Sequence, residues 1–201
     1  KGVYGKKYDY SQEVSNKIVS LDWDIGKWQG KRSKIIQMDS GEIGCILSHR
    51  LLWEKIYNEG LESTLILEDD AQIDFENFGK SFKIGLKYIN ELGYIQFQTR
   101  EIPNNLVELC HVNGIKIFQP KIVPLRTSAQ LISYKTALKL LEKSTQIDRP
   151  VDGFLQLFWS TNQNISCIKP SGIKDISQIS GGSTLSIRRS IFSSIARILI
   201  R

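Results

Sequence analysis

The sequence has few cysteines: three, widely separated, with no Cys-x-x-Cys pair (Cys45, Cys110 and Cys167). An odd number with this spacing argues against a disulfide framework and against a structural zinc site, and it favours a reducing compartment. The charged start "KGVYGKKYDYSQ" is not followed by an apolar segment, so it does not resemble a signal peptide. We therefore expect a cytoplasmic location.

Long apolar runs and several catalytic motifs are also missing. No uninterrupted apolar run approaches the roughly 18–20 residues that a membrane-spanning helix needs. The net charge of +6 is spread along the chain without a zinc finger, an RNP motif or a basic-aromatic repeat, so we expect no nucleic-acid partner. "SGGST" at 180–184 lacks the Walker lysine and a preceding strand, and no Gly-x-Ser-x-Gly or Cys-His signature is present.

What remains is the composition of an ordinary globular domain: 201 residues, 41% hydrophobic and 24% charged. Helical and strand patterns alternate without a repeat or a linker, which predicts an α/β fold in a single domain over residues 1–185. The predicted helices span 39–60, 75–92, 134–144 and 151–159. The predicted strands span 63–68, 94–98, 115–118, 129–133 and 165–169.

The helix over 39–60 has the clearest local signals. Asp39 and Glu42 have the spacing of a capping box, and apolar residues recur after them with helical period. Gly60 stands where a left-handed C-terminal cap is expected. His49, in the middle of this helix, has two interpretations: a functional residue, or the more common hydrogen-bonded structural histidine.

An acidic cluster follows the strand "STLILE", whose two apolar faces are typical of a parallel sheet covered by helices. Glu68, Asp69 and Asp70 come directly after it, and ligands of α/β sheets bind at such strand ends. Clustered carboxylates suit Mg²⁺ or Mn²⁺. The alternative is a solvated acidic loop in which alternate acids face away from one another.

Two motifs together resemble glycosyltransferase family 25. "GEIGCILSHRLLWEKI" (41–56) is followed by "LILEDDA" (65–71) in the order and at the spacing of that family, and "LRTSAQLISYKTALKLL" (125–141) and "RPVDGFLQLFW" (149–159) resemble its later elements. The family includes lipooligosaccharide and lipopolysaccharide glycosyltransferases, often galactosyltransferases, and a collagen galactosyltransferase branch. The resemblance covers about residues 39–180.

The resemblance implies a GT-A-like nucleotide-sugar-binding fold with a mostly parallel sheet flanked by helices. It also implies inverting, Mn²⁺-dependent (or Mg²⁺-dependent) transfer of a hexose, expected to be galactose, from a UDP-sugar to a bacterial lipooligosaccharide acceptor. The family's opening strand with paired arginines has no match in residues 1–20, so we expect this strand to be missing. A non-catalytic sugar- or nucleotide-binding remnant therefore stays open as an alternative, as does a metal-dependent hydrolase.

The resemblance also implies roles for individual residues. Asp70 is expected to bind the metal with Asp69 assisting, while Glu68 contacts the donor ribose or orients a ligand. Asp152 is the candidate base that inversion requires, and a structural helix N-cap is its alternative. The expected donor-binding residues are Ser48, His49, Thr127 and Ser128.

The C-terminal segment "SIRRSIFSSIARILIR" (186–201) has an apolar stripe at helical spacing and arginines over the remainder. A basic amphipathic helix of this kind suits an anionic membrane surface, here the inner face of a bacterial inner membrane. The alternative is an ordinary helix packed on the core.

Overall fold

The computed structural model describes residues 9, 11–16, 18–19, 22–24, 35–100 and 106–176. Its helices are α1 Ser11–Ser15, α2 Ser40–Asn58, α3 Phe75–Leu92, α4 Tyr134–Lys143, α5 Val151–Leu155 and α6 Phe158–Thr161. Its strands are β1 Asp22–Asp24, β2 Ile35–Gln37, β3 Ser63–Leu67, β4 Ala71–Ile73, β5 Tyr94–Phe97, β6 Leu106–Val112, β7 Ile115–Pro120, β8 Ala129–Ser133, β9 Ser166–Lys169 and β10 Ile173–Asp175. The predicted α/β class is confirmed.

The chain divides into two compact units. Residues up to Leu51 and Ser144–Val151 belong to the first, and Leu52–Lys143 and the described residues from Asp152 onward belong to the second. The second unit contains a six-stranded sheet and α3. Compact units alone do not count folding domains, so the single domain over 1–185 stays a prediction.

The C-terminal segment 186–201 lies outside the described residues, as does "SGGST" at 180–184. The amphipathic helix therefore stays a prediction. Within the described ranges, the structure contains no helix that combines the length and the apolar character needed to cross a bilayer.

Helix α2 begins and ends where the local signals predict. The Glu42 backbone N–H donates to Asp39 Oδ1 at 2.9 Å, and the Asp39 N–H donates to Glu42 Oε2 at 3.1 Å, which completes the capping box. At the other end Gly60 has φ of +63°, and the Leu61 N–H donates to the Ile56 carbonyl at 3.1 Å. These contacts satisfy backbone groups that every helix leaves unpaired at its ends.

The central sheet has the strand order β3-β8-β5-β9-β7-β6 and is mixed rather than mostly parallel. Among its pairs only β5 and β9 run parallel; β3–β8, β8–β5, β9–β7 and β7–β6 are antiparallel. The apolar sequence of β3 reports neither burial on both faces nor strand direction: β3 is an edge strand in which Ile66 is buried and Leu67 is exposed. Strand β9 lies inside the sheet, between β5 and β7.

The hairpin of β6 and β7 shows why antiparallel pairs arise here. Asn113 and Gly114 form its two-residue turn with φ of +50° and +77°. A two-residue connection can only join antiparallel strands, and Asn-Gly is the sequence most favoured for it.

The core of the second unit lies between α3 and the sheet. Phe78 and Ile89 of α3 pack with apolar side chains of the central strands, which include Ile95, Phe97 and Leu131. The Phe78 and Phe97 rings lie 5.1 Å apart. This packing holds α3 against the central strands of the sheet.

One close backbone approach anchors the start of α3. Gly172 has φ of +72°, and a Cβ added there would lie 2.2 Å from the Phe78 nitrogen and 2.6 Å from its Cα. The Asp74 N–H donates to the Gly172 carbonyl at 2.8 Å. A glycine is therefore required both by the backbone angle and by the space available.

We expect Gly172→Ala to lower the free energy of unfolding by about 2–5 kcal/mol, because it adds a steric clash to the cost of a positive φ. The matched control is Gly114→Ala, where φ is +77° and an added Cβ meets no atom within 4 Å. The control should lose only about 1–2 kcal/mol. Urea unfolding of both variants measures the difference, and equal losses would contradict the close approach.

Candidate functional site

The acidic cluster forms a tight turn between β3 and β4. The Ala71 N–H donates to the Glu68 carbonyl at 3.2 Å, which leaves Asp69 and Asp70 at the two central positions. Asp69 is exposed, whereas Glu68 and Asp70 are half-buried. Asp69 thus behaves as the acidic-loop interpretation expects, and the other two carboxylates do not.

Glu68 is attached to the residues that precede β8. Its backbone N–H donates to the Ser128 carbonyl at 2.9 Å. Its side chain accepts a hydrogen bond at Oε1 from the Thr127 hydroxyl. Thr127 and Ser128 are buried. The fold therefore brings together three residues that the sequence singled out separately.

A buried hydrogen-bonded chain lies behind Glu68. The Tyr94 hydroxyl donates to Gln130 Oε1, and Gln130 Nε2 donates to the Thr127 carbonyl at 2.9 Å. Tyr94 is buried, and burial followed by the nearby Glu68 charge raises its pKa well above the ordinary value, so the phenol stays a donor. Sequence reasoning missed this support, although a glutamine inside the apolar strand "AQLIS" was a visible signal.

Asp70 carries the unusual electrostatics of the site. Its Oδ1 atom is buried and has no hydrogen-bond partner among the residues that the structure describes. Burial, then repulsion from Glu68 and Asp175, raises the pKa of this carboxyl, and the Arg126 charge opposes the rise. A buried carboxylate oxygen without a donor is costly unless a cation compensates it.

Asp175 and Arg126 complete the cluster, and sequence reasoning singled out neither. β10 pairs antiparallel with β4, which places Asp175 opposite Ala71 at the edge of the acidic turn. Arg126 Nε lies 3.2 Å from Asp175 Oδ2. The association depends on strand pairing between distant segments, so no local pattern could have shown it.

The acidic turn supplies oxygen ligands of the kind that would hold a divalent cation. The negative charges of Glu68 and Asp175 raise the pKa of the neighbouring Asp70 carboxyl, and Asp69 belongs to the same turn. Oxygen ligands of this kind are the ones that Mg²⁺ and Mn²⁺ prefer. Asp70 Oδ1 is the buried carboxylate oxygen of the turn that lacks a described donor, and the metal role predicted for Asp70 stays a prediction.

Of the remaining predicted site residues, Asp152 and Ser48 make local hydrogen bonds. Asp152 lies in the first turn of α5, and its Oδ1 accepts from the Gly153 N–H at 2.8 Å. None of its described contacts involves Glu68 or Asp70. The Ser48 hydroxyl donates to the Gly44 carbonyl at 2.7 Å, and His49 is buried, both in the first compact unit. The roles of these three residues stay predictions.

Comparison with protein families identifies one match over most of the chain. The model of "Glycosyltransferase family 25 (LPS biosynthesis protein)" matches residues 3–155. The match includes the acidic turn, Thr127, Ser128 and Asp152.

The chain is also similar to segments of longer proteins whose names describe galactosyltransferases or members of family 25. Procollagen galactosyltransferase 2 of Mus musculus is 33% identical over 89 residues, which are 37% of this chain and 14% of the relative. Procollagen galactosyltransferase 1 of Danio rerio is 46% identical over 78 residues, 39% of this chain and 12% of the relative. A "Probable inactive glycosyltransferase 25 family member 3" of Bos taurus is 28% identical over 139 residues, which are 63% of this chain and 22% of the relative. The matched segments span less than a quarter of each of these relatives.

When a chelator keeps the site free of metal, we expect Asp70→Asn to have a higher free energy of unfolding than the wild type at neutral pH. The pKa of Asp70 is higher in the folded than in the unfolded protein, so its ionisation removes stability as pH rises above the ordinary value of 3.8. The gain should vanish below that value, where both states are protonated. Thermal melts across pH measure it.

Asp69→Asn is the matched control, because it removes one charge from the same turn at an exposed position. Its gain should be smaller. A loss of stability in Asp70→Asn at neutral pH would contradict the electrostatic account of the site.

Proposed function

Because the chain belongs to glycosyltransferase family 25, we propose that it transfers a hexose from a UDP-sugar to a saccharide acceptor with inversion at the anomeric carbon. The observation that supports this most directly is the buried Asp70 Oδ1 in the acidic turn at the end of β3. The names of the galactosyltransferase relatives favour galactose as the hexose.

In this proposal Asp70 holds Mn²⁺ or Mg²⁺ with help from Asp69. When bound, the ion would supply positive charge to offset the negative charge that develops on the departing UDP. Glu68 orients a ligand or contacts the donor ribose from the rigid junction with Thr127. Ser128 Oγ, buried and without a hydrogen-bond partner among the described residues, supports a donor-sugar contact at this position.

Asp152 is the proposed general base. It would accept the proton of the acceptor hydroxyl, whose oxygen forms the new bond to the anomeric carbon while the bond from that carbon to the diphosphate oxygen breaks. The Gly153 N–H bonds to Oδ1 and fixes the carboxylate relative to α5. The half-buried position of Asp152 leaves it open to a ligand.

The family description, which names lipopolysaccharide biosynthesis, supports a proposal for the acceptor. We propose a bacterial lipooligosaccharide as acceptor, with the enzyme cytoplasmic and peripheral on the inner face of the inner membrane through residues 186–201. The names of the animal relatives make a procollagen-like acceptor the comparison substrate.

A second candidate is a non-catalytic sugar- or nucleotide-binding protein. It is supported by the relatives in Bos taurus and Rattus norvegicus whose names call them probably inactive. Binding of a UDP-sugar without release of UDP in the presence of acceptor would favour this candidate.

We expect UDP release from UDP-galactose to require Mn²⁺ or Mg²⁺ and to stop in EDTA. Asp70→Asn should lower kcat by about 10²–10³-fold, since it keeps the shape of the side chain and removes the charge that holds the ion. A coupled assay for UDP measures both effects, with circular dichroism as the control for folding. Turnover in EDTA would contradict the role of Asp70.

Asp152→Asn should abolish transfer while UDP affinity stays unchanged, because the base acts on the acceptor and not on the nucleotide. Activity assays and calorimetry with UDP separate the two quantities. A matched control is Asp148→Asn, a nearby carboxylate that instead pairs with Arg149 at 2.6 Å. If Asp148→Asn and Asp152→Asn lose activity equally, the assignment of the base is wrong.

A further inference from the structure

Arg126 adopts a backbone conformation that an L-amino acid rarely occupies. Its φ is +101°, a region where glycine is favoured and other residues are strained. The buried Gln96 side chain holds this conformation through a hydrogen bond from Nε2 to the Arg126 carbonyl. Strain that the surroundings enforce in this way concentrates at functional sites.

Only part of the Arg126 guanidinium has a partner among the described residues. Nε faces Asp175 Oδ2 at 3.2 Å, and the Arg126 side chain is 30% exposed while that of Asp175 is 13% exposed. A guanidinium has five N–H donors. Among the described residues, Asp175 is the ion-pair partner found for Arg126, and the two terminal nitrogens make no described hydrogen bond.

The position of this cation relative to Asp70 is informative. Asp175, the ion-pair partner of Arg126, lies opposite Ala71, and the N–H of the next residue, Ile176, donates to the Asp70 carbonyl at 2.9 Å. The ion pair with Asp175 therefore places the guanidinium of Arg126 beside the acidic turn that contains Asp70. A diphosphate would suit both, since its oxygens can share a cation with Asp70 and accept hydrogen bonds from a planar guanidinium.

We propose that Arg126 binds the diphosphate of the nucleotide-sugar donor through its terminal nitrogens, with Asp175 as the residue that positions the guanidinium. This inference rests on the proposed function and adds to it a protein-derived positive charge at the leaving group. As the bond between the sugar and the diphosphate breaks, the two electrons stay on the diphosphate oxygen. Arg126 then donates hydrogen bonds to that increased negative charge.

The test is calorimetric binding of UDP and of inorganic pyrophosphate, with and without Mn²⁺. Arg126→Gln should weaken both by about tenfold to a hundredfold, the range for a lost hydrogen bond to a charged group. Arg126→Lys should recover part of the affinity, because it restores the charge but not the planar geometry. Lys174→Gln is the charge-matched control: it removes one positive charge next to Asp175 from an exposed side chain, and affinity should stay nearly unchanged.

Asp175→Asn separates ligand binding from a structural ion pair. It removes the charge that positions the guanidinium but keeps the guanidinium itself, so pyrophosphate affinity without Mn²⁺ should fall by less than in Arg126→Gln. If Arg126 served only the ion pair, Arg126→Gln and Asp175→Asn would lose affinity equally, and that result overturns the proposal. Arg126→Gly suits the φ of +101°, so it should stay folded while losing pyrophosphate affinity.

The outcomes also separate this proposal from the proposed function. Wild-type protein that binds neither UDP nor pyrophosphate overturns the nucleotide-sugar donor and Arg126 together. Wild-type protein that binds UDP, with Arg126→Gln binding it equally well, overturns the role of Arg126 and leaves the transferase proposal standing. Selective loss in the Arg126 variants supports both.

Discussion

The junction of Glu68 with Thr127 and Ser128 is the contact on which the site depends. The backbone of Glu68 bonds to the Ser128 carbonyl just beyond the last paired residues of the adjoining strands, Leu67 and Ala129. This bond extends the β3–β8 pairing by one step, and the Thr127 hydroxyl then fixes the Glu68 side chain. The acidic turn starts from a rigid point as a result. Both segments that form the site are therefore positioned by the register of two strands.

Around this rigid junction the protein keeps an electrostatic arrangement that is unfavourable by itself. Asp70 is partly buried beside Glu68 and Asp175, with one oxygen lacking a donor among the described residues. The apolar contacts between α3 and the sheet stabilise the fold elsewhere and offset this local cost. A binding site for a cation or a polar ligand commonly shows this pattern, because charges arranged for a ligand are poorly satisfied without it.

The sequence predicted the features that local signals determine and missed those that depend on distant pairing. The capping-box spacing of Asp39 and Glu42 predicted the start of α2, and the boundaries of β8 were predicted correctly. Helix capping and short apolar strands are both local properties of the sequence. β6 was missed although Asn113-Gly114 is a strong hairpin signal. Strand direction was misjudged because an apolar sequence on both faces does not report it, and β3 is an edge strand with Leu67 exposed. Asp175 could not be placed beside the acidic turn, because that proximity is created by the pairing of β10 with β4.

The residue at position 126 shows how local strain and chemistry can be weighed against each other. Glycine would adopt φ of +101° without steric cost, so backbone geometry alone favours glycine there. The ion pair with Asp175 is mostly buried, and the cost of removing both charges from water offsets much of their attraction, so the pair gives little net stability to set against the strain of roughly 1–2 kcal/mol. Stability therefore does not explain an arginine at this position. A contribution to ligand binding does explain it, because the guanidinium then donates hydrogen bonds to an anionic ligand, and the strained backbone keeps the side chain oriented toward that ligand.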